Sequence, residues 1–406
     1  MSAPDPSFPP PARYGWIHPR WFLGGLVFGL GALAGCGWRV SRTDYHPGYV
    51  RFHHAISPEA NYYPSLDEMS AIVRAKCRHD QVLVIVGGNS ILYGVWQRSA
   101  DVWSNRLQEL LGDRYCVINF AFRGGSPADG GAVVAEALRG EYPRQILIVN
   151  EAPVTGVESF GRESYRFLFW QGYFGGKLLD APAREARIRE LVRYFPGQLA
   201  PFQEARISVW FDDVFHYRDL WNWIAFECFS TVPSNPGQSF PLLLRPRRRY
   251  SDPEIDGTDP EFKDQHYPMA SLEAEMRVMR GLGAYYHREP DGRWMLSPVA
   301  RADVANRCDE AFPAQLKKRT LVLISGSSPY YLRLLTPDER AMIHQAFHDT
   351  VDIWRETGYP AMDYGWDFTA ADFGDRTHLT KLGGWKLAAQ VAPEVRDIAE
   401  RLGYLR

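Results

Sequence analysis

Ser90 ends the run Gly87-Gly88-Asn89-Ser90, and Asp375 and His378 lie in Asp375-Arg376-Thr377-His378 near the other end of the chain. A serine hydroxyl is a poor nucleophile until a base takes its proton. An imidazole titrates near neutral pH, so it can take that proton and return it to a leaving group. A carboxylate close before the histidine can fix its tautomer and stabilise the imidazolium. These three residue types are the minimum set for acyl transfer through a serine ester. They work only if the fold brings the two ends of the chain together.

The elements around them read as a parallel α/β sheet. Val82-Leu83-Val84-Ile85-Val86 is a continuous apolar run, too short for a helix and stopped by glycines, as expected of a strand buried on both faces. Tyr115 to Asn119 and Ile146 to Val149 repeat that pattern. Trp103, Leu107, Leu110 and Leu111 recur at helical spacing between the first two strands. Ser126-Pro127 predicts the N-terminus of a helix ending near Gly140. A short helix over Leu66 to Lys76 precedes the first strand. The resulting βαβαβ order implies a parallel sheet with right-handed crossovers. The rhythm returns at Leu321 to Ile324. A helix capped by Thr336-Pro337 then runs to Gly358, and a last helix spans about Thr380 to Leu402. Ligands of such sheets bind beyond the carboxyl ends of the strands. There stand Ser90 after the first strand, Asn119 to Gly125 after the second and Asn150 after the third.

Taken together, the pieces resemble the SGNH hydrolase family. Its signature is a Ser in a Gly-Asp-Ser or Gly-Asn-Ser turn, a Gly after the second strand, an Asn after the third and an Asp-x-x-His near the end. The matching residues are Ser90, Gly124, Asn150, Asp375 and His378. The resemblance implies Ser90 as nucleophile, His378 as base and Asp375 as its orienting carboxylate. It also implies an oxyanion hole from the Ser90 N–H, the Gly124 N–H and the Asn150 side-chain amide, where one donor is worth on the order of 3 kcal/mol of barrier. It covers the first half of the catalytic domain and the last part of the chain, not the middle. The turn here is Gly-Asn-Ser. Ala121 stands where the second block often starts with glycine, Gly125 follows Gly124 as a rival donor, and Asn150 lacks the glycine that usually precedes it by two.

Other groups give weaker signals. His344, His348 and Asp352 share a helix face, but Gln345 stands where a zinc-protease motif has its glutamate, and no metal site is assigned. Ser325-Gly326-Ser327-Ser328 lacks the nucleophile-elbow pattern and is expected to line the same cleft or cap a turn. Arg123 and Tyr93 flank the site by position. No cofactor is called for.

The net charge of −2 carries no electrostatic signature of nucleic-acid binding. With 45% hydrophobic and 23% charged residues the chain is globular in composition, and the 14% aromatic residues are expected mainly in the core, with a sugar-stacking surface as the alternative. The run from Trp21 to Trp38 has no charge, and arginines flank it on both sides. Leu33-Ala34-Gly35-Cys36 resembles a bacterial lipobox, with Cys36 as the lipidation candidate. The same run is long enough for a membrane-spanning helix, and a buried helix of a soluble protein is the third reading. Cys77, Cys116, Cys228 and Cys308 form no CxxC pair, and spacing alone does not pair them.

The expected organisation is an anchor or signal segment over 1–40, a linker and short helix over 41–80, and the first half of the catalytic domain over 81–150. An insertion follows over 151–318, then the second half over 319–406. The insertion is expected to be largely helical. It includes a helical stretch from Ala183 to Tyr194, an aromatic cluster with Trp221, Trp223, Phe226 and Phe229, and the basic run Arg245 to Arg249. The expected fold is a three-layer α/β/α, flavodoxin-like SGNH domain tethered to a membrane at the bacterial cell envelope, on the extracytoplasmic side. The expected function is an esterase or O-acyltransferase on an acyl ester or cell-envelope polysaccharide. Alginate acetylation proteins and the D-alanyl transfer protein of teichoic-acid synthesis are similar in context. The alternative is a non-catalytic envelope protein that binds or assembles a surface polymer on the same fold.

Overall fold

The computed structural model describes residues 19–42, 51, 65–122, 125, 127–128, 130–151, 163–179, 202–220, 223–224, 276–277, 279–309 and 311–405. Five parallel strands form one sheet: β1 (Val82–Val86), β2 (Tyr115–Asn119), β3 (Gln145–Glu151), β6 (Thr320–Ser325) and β7 (Ala361–Tyr364). Their order is β2-β1-β3-β6-β7. A second, antiparallel pair joins β4 (Tyr286–Arg288) to β5 (Trp294–Leu296) between β3 and β6 in the chain.

Alternation along each strand divides the core in two. Leu83 and Ile85 of β1, Leu147 and Val149 of β3, and Val322 and Ile324 of β6 point to one face. There they meet α2 (Leu66–Lys76), α5 (Gly131–Leu138) and α9 (Pro337–Glu356). Val82, Val84, Val86, Ile146, Ile148, Leu321 and Leu323 point to the other, against α4 (Trp103–Leu111) and α10 (Lys381–Arg401). The chain is therefore a mixed α/β protein with helices on both faces of a parallel sheet. Trp103 and Trp354 are fully buried, one in each layer, and truncating either to alanine would cost about 3–5 kcal/mol.

Strand order places the site. The chain runs from β1 outward to β2, returns past β1 to β3, and then proceeds outward on the other side. The reversal falls between β1 and β3, where two neighbouring crossovers diverge and leave a crevice beyond the strand ends. Ser90 follows β1 and Asn150 is the penultimate residue of β3, one on each side of it.

One sequence expectation needs correction. The helix after β2 starts at Gly131, not at Ser126-Pro127. Gly131 packs on Gly87, and a Cβ there would lie 2.7 Å from the Gly87 Cα, so contact with the end of β1 fixes where the helix begins. The described part of the insertion holds β4 and β5 as well as α6 (Glu163–Phe174), α7 (Phe202–Phe215) and α8 (Pro298–Asp309). The stretch Ala183 to Tyr194, Trp221, Phe226, Phe229 and the run Arg245 to Arg249 lie outside the described residues. A disulfide joins Cys77, the C-cap of α2, to Cys116 of β2. Cys36 and Cys308 are free thiols, exposed and buried respectively.

The first helix, α1 (Pro19–Val40), is 22 residues long and exposed along nearly all of its length. By length and composition it is apolar enough to cross a membrane.

Candidate active site

Ser90 opens the four-residue helix α3 (Ser90–Tyr93). Asn89 caps it, its side chain accepting from the Ile91 N–H at 2.9 Å. Three side chains then fix the far end of this short helix. Trp103 Nε1 and Asn119 Nδ2 both donate to the Leu92 carbonyl, at 2.6 and 3.0 Å. The buried Arg51 donates to the carbonyls of Tyr93 at 3.2 Å and Gln97 at 2.6 Å. A helix of one turn has little stability alone. These bonds, all from distant parts of the chain, are what hold the serine still.

The Asp375-to-His378 turn is built by its own base. Phe373 and Leu379 form an antiparallel bridge, and the Gly374 N–H donates to the His378 carbonyl at 2.7 Å. The Asp375 Oδ1 accepts from the Thr377 and His378 N–H groups at 3.0 and 2.8 Å. Its Oδ2 lies 2.6 Å from His378 Nδ1. On the far side of the ring, His378 Nε2 lies 2.7 Å from Ser90 Oγ. Residues 288 apart in sequence thus share one hydrogen bond at the sheet's carboxyl edge.

The electrostatics fix the direction of this relay. Burial pushes the Asp375 carboxyl up, but the hydrogen bond and charge of His378, with the two backbone donors, outweigh it and hold it at about 2. An ionised carboxylate can only accept. His378 Nδ1 therefore carries a proton toward Asp375, and in the neutral ring this leaves the Nε2 lone pair facing the Ser90 hydroxyl.

A residue that no motif marks completes the carboxylate's shell. Trp96 Nε1 donates to Asp375 Oδ2 at 2.9 Å. Its backbone has φ 70°, a left-handed conformation that costs a bulky residue about 1–2 kcal/mol. That conformation turns the indole back onto Gly374, where any Cβ would run into the ring. Sequence reading missed Trp96. Its spacing is unremarkable, and the one local cue is the preceding Gly94, which is itself left-handed.

Asn150 sits where the resemblance implies, but its amide is already engaged. Its Oδ1 accepts from the Asn89 N–H at 3.1 Å, and its Nδ2 donates to Asn89 Oδ1 at 2.9 Å and to Ser325 Oγ at 3.3 Å. Gly88 has φ 86°, and a side chain there would strike the Asn150 amide. Gly124 and Arg123 lie outside the described residues. The rival donor Gly125 gives its N–H to the Phe122 carbonyl at 3.1 Å. The Ser90 N–H, at the first position of a helix, has no intrahelical acceptor.

Ser90, His378 and Asn150 open onto a pocket of about 320 Å³. Its polar wall includes Glu151, Ser325, Ser327 and Arg376, and its apolar wall is Met279, Leu282, Ile343 and Phe347. Ser325, the last residue of β6, also accepts from the Tyr364 hydroxyl at 3.1 Å, and with Ser327 it lines the cleft. Tyr93 does not reach it: the residue is buried, with Arg51 over its ring. His344 stacks on Trp366 at 3.7 Å, and burial, then the neighbouring His348, pulls its pKa below the ordinary imidazole value. His348 faces Asp363 at 3.8 Å. Among the described residues no three His, Cys, Asp or Glu side chains converge on a metal-sized site.

The fold and site define a mixed α/β protein carrying a hydrogen-bonded serine, histidine and aspartate at its strand switch point. No family model, curated protein or solved structure matches this chain.

Proposed function

We propose that this chain is an SGNH-type serine esterase or O-acyltransferase of the cell envelope. The observation that carries the reading is the unbroken series Ser90 Oγ to His378 Nε2 at 2.7 Å and His378 Nδ1 to Asp375 Oδ2 at 2.6 Å. In this reading Ser90 Oγ attacks an acyl-ester carbonyl as its proton passes to His378 Nε2. The carbonyl oxygen becomes an oxyanion near the Ser90 N–H and the Asn150 amide. As the ester bond breaks, His378 returns the proton to the departing alkoxide, leaving an acyl-serine. Water or a sugar hydroxyl then attacks that acyl group, giving its proton to His378, and Ser90 is released with the proton returned. Asp375 stays ionised throughout and stabilises the imidazolium.

Two further features support the envelope setting. α1 suits a membrane tether. The Cys77–Cys116 disulfide suits an oxidising compartment. The expected substrate is an acyl ester or an acylated cell-envelope glycan.

One observation favours the non-catalytic, polymer-binding reading. Both Asn150 amide hydrogens already have protein acceptors, so an oxyanion would have to displace the long contact to Ser325. Turnover of a panel of acetylated esters and glycans by wild type and Ser90→Ala separates the two. The catalytic reading requires turnover that Ser90→Ala abolishes without loss of folding. Turnover that is absent from the wild type, or unchanged in the variant, favours binding.

A further inference from the structure

α7 carries two stripes. Ala205, Val209 and Asp212 face the body of the protein and are buried. Ile207, Trp210, Phe211 and Val214 lie on the opposite side at the spacing of one helical face, and are 66%, 60%, 41% and 40% exposed. A single exposed apolar residue is ordinary, but four on one stripe make a patch that calls for an occupant. The polarity is inverted for a soluble surface helix, since a carboxyl points inward while an indole and a phenyl ring point outward.

The neighbour of this stripe indicates the occupant. The C-terminal end of α1 packs on the C-terminal end of α7: a Cβ at Gly37 would fall on the Phe215 carbonyl and against His216. The last turn of α1 holds Trp38 and Arg39, and the Arg42 guanidinium lies 4.6 Å from the centre of the Trp38 ring. Aromatic and basic residues at the end of an apolar helix mark a membrane–water boundary. The boundary falls in the same place if the chain is processed and lipidated at Cys36. Gly37 is then on the retained side, next to the acylated residue. Either way the headgroup layer meets the protein at the end of α7, and the exposed stripe continues from there.

We propose that α7 is an interfacial helix, with Ile207, Trp210, Phe211 and Val214 immersed in the membrane surface. The occupant is the lipid bilayer, not a second copy of the chain. A tether alone leaves the body free to swing, whereas a tether plus a docked helix sets its orientation to the membrane.

Nitroxide labels test this in the full-length chain reconstituted in phosphatidylcholine–phosphatidylglycerol vesicles. Cys36→Ser and Cys228→Ser remove two native thiols of the unprocessed chain, Cys77 and Cys116 are bridged, and Cys308 is buried. Labels are placed singly at Ile207→Cys, Trp210→Cys and Val214→Cys, with Leu382→Cys, an exposed apolar site on α10 across the sheet, as reference. The expected result is an oxygen-to-nickel-chelate accessibility ratio on α7 several-fold above that at Leu382→Cys, at a depth of about 5–10 Å. Should the Trp210→Cys change itself weaken insertion, the labels at 207 and 214 still report. A ratio equal to the reference overturns the proposal. So does spin–spin broadening that disappears on dilution with unlabelled chain, which would mean that a second copy covers the stripe.

Discussion

The indole N–H of Trp96 and the ring of His378 meet the same oxygen, Oδ2 of Asp375, at 2.9 and 2.6 Å. The carboxylate is thus shared between a histidine that acts on the serine and a tryptophan that donates to the same carboxylate oxygen. Trp96 is a positioning residue. Loss of its hydrogen bond should act on turnover through the placing of Asp375 and His378.

Trp96→Phe keeps the ring and deletes the donor. A hydrogen bond to a charged group is worth about 1.5–3 kcal/mol, so ester turnover should fall roughly ten- to hundredfold if the whole of it serves to place the carboxylate. The loss should fall on kcat, with KM unchanged, because Trp96 touches the carboxylate and not the substrate pocket. An unchanged kcat would show that the bond to Trp96 is structural only.

Gly88→Ala should damage stability and site together. Alanine at φ 86° is strained by about 1–2 kcal/mol, and its methyl would displace the Asn150 amide. The expected outcome is a lower Tm and a loss of ester turnover larger than that drop in stability explains. Full activity in a folded Gly88→Ala variant would remove Asn150 from the oxyanion site.

Stability should also respond to the Asp212 carboxyl. Burial raises it to about 6, opposed by the Arg218 N–H, which donates to it at 3.0 Å. The folded chain therefore retains a proton that the unfolded chain, titrating near 3.8, gives up. Its contribution is full below the unfolded value and is lost as the pH rises through about 6, on the order of 3 kcal/mol in all. Asp212→Asn keeps the acceptor for Arg218 and removes the titration. Thermal unfolding at about pH 4.5 and about pH 8 should show a smaller decline in the variant than in wild type. Parallel declines would contradict the assignment.

The Cys77–Cys116 bridge closes a loop of sequence separation 39, which corresponds to about 4 kcal/mol in the chain-entropy account. Peptide mapping without reduction should recover the cross-linked pair. The double variant Cys77→Ser/Cys116→Ser should unfold at lower denaturant. An unchanged midpoint would mean that the bridge contributes nothing to the folded chain.

How much of this was legible from residues alone follows from burial. β1, β3 and β6 are central strands covered on both faces, so they read as unbroken apolar runs. β7 is an edge strand with Asp363 in its middle and gives no such run. β4 is three residues long, with His287 and Arg288 exposed, and leaves no pattern to detect. α9 announces itself because its start is local: Thr336 and Glu339 form a reciprocal capping box. The start of α5 does not, because Gly87 sets it from another element. The same division runs through the site. Ser90, Asp375 and His378 stand in short motifs with recognisable spacing. Trp96 reaches Asp375 through a left-handed backbone, and the pairing of Cys77 with Cys116 depends on the fold bringing the end of α2 to β2.

The central claim is that His378 makes the Ser90 hydroxyl a nucleophile. Reaction of the folded full-length chain with a fluorophosphonate, read by intact mass and by mapping the modified peptide, tests it most directly. The account predicts one adduct, on Ser90, formed by wild type and lost in both Ser90→Ala and His378→Ala. A folded wild type that stays unmodified while a control serine hydrolase is labelled, or an adduct that survives Ser90→Ala, would contradict it.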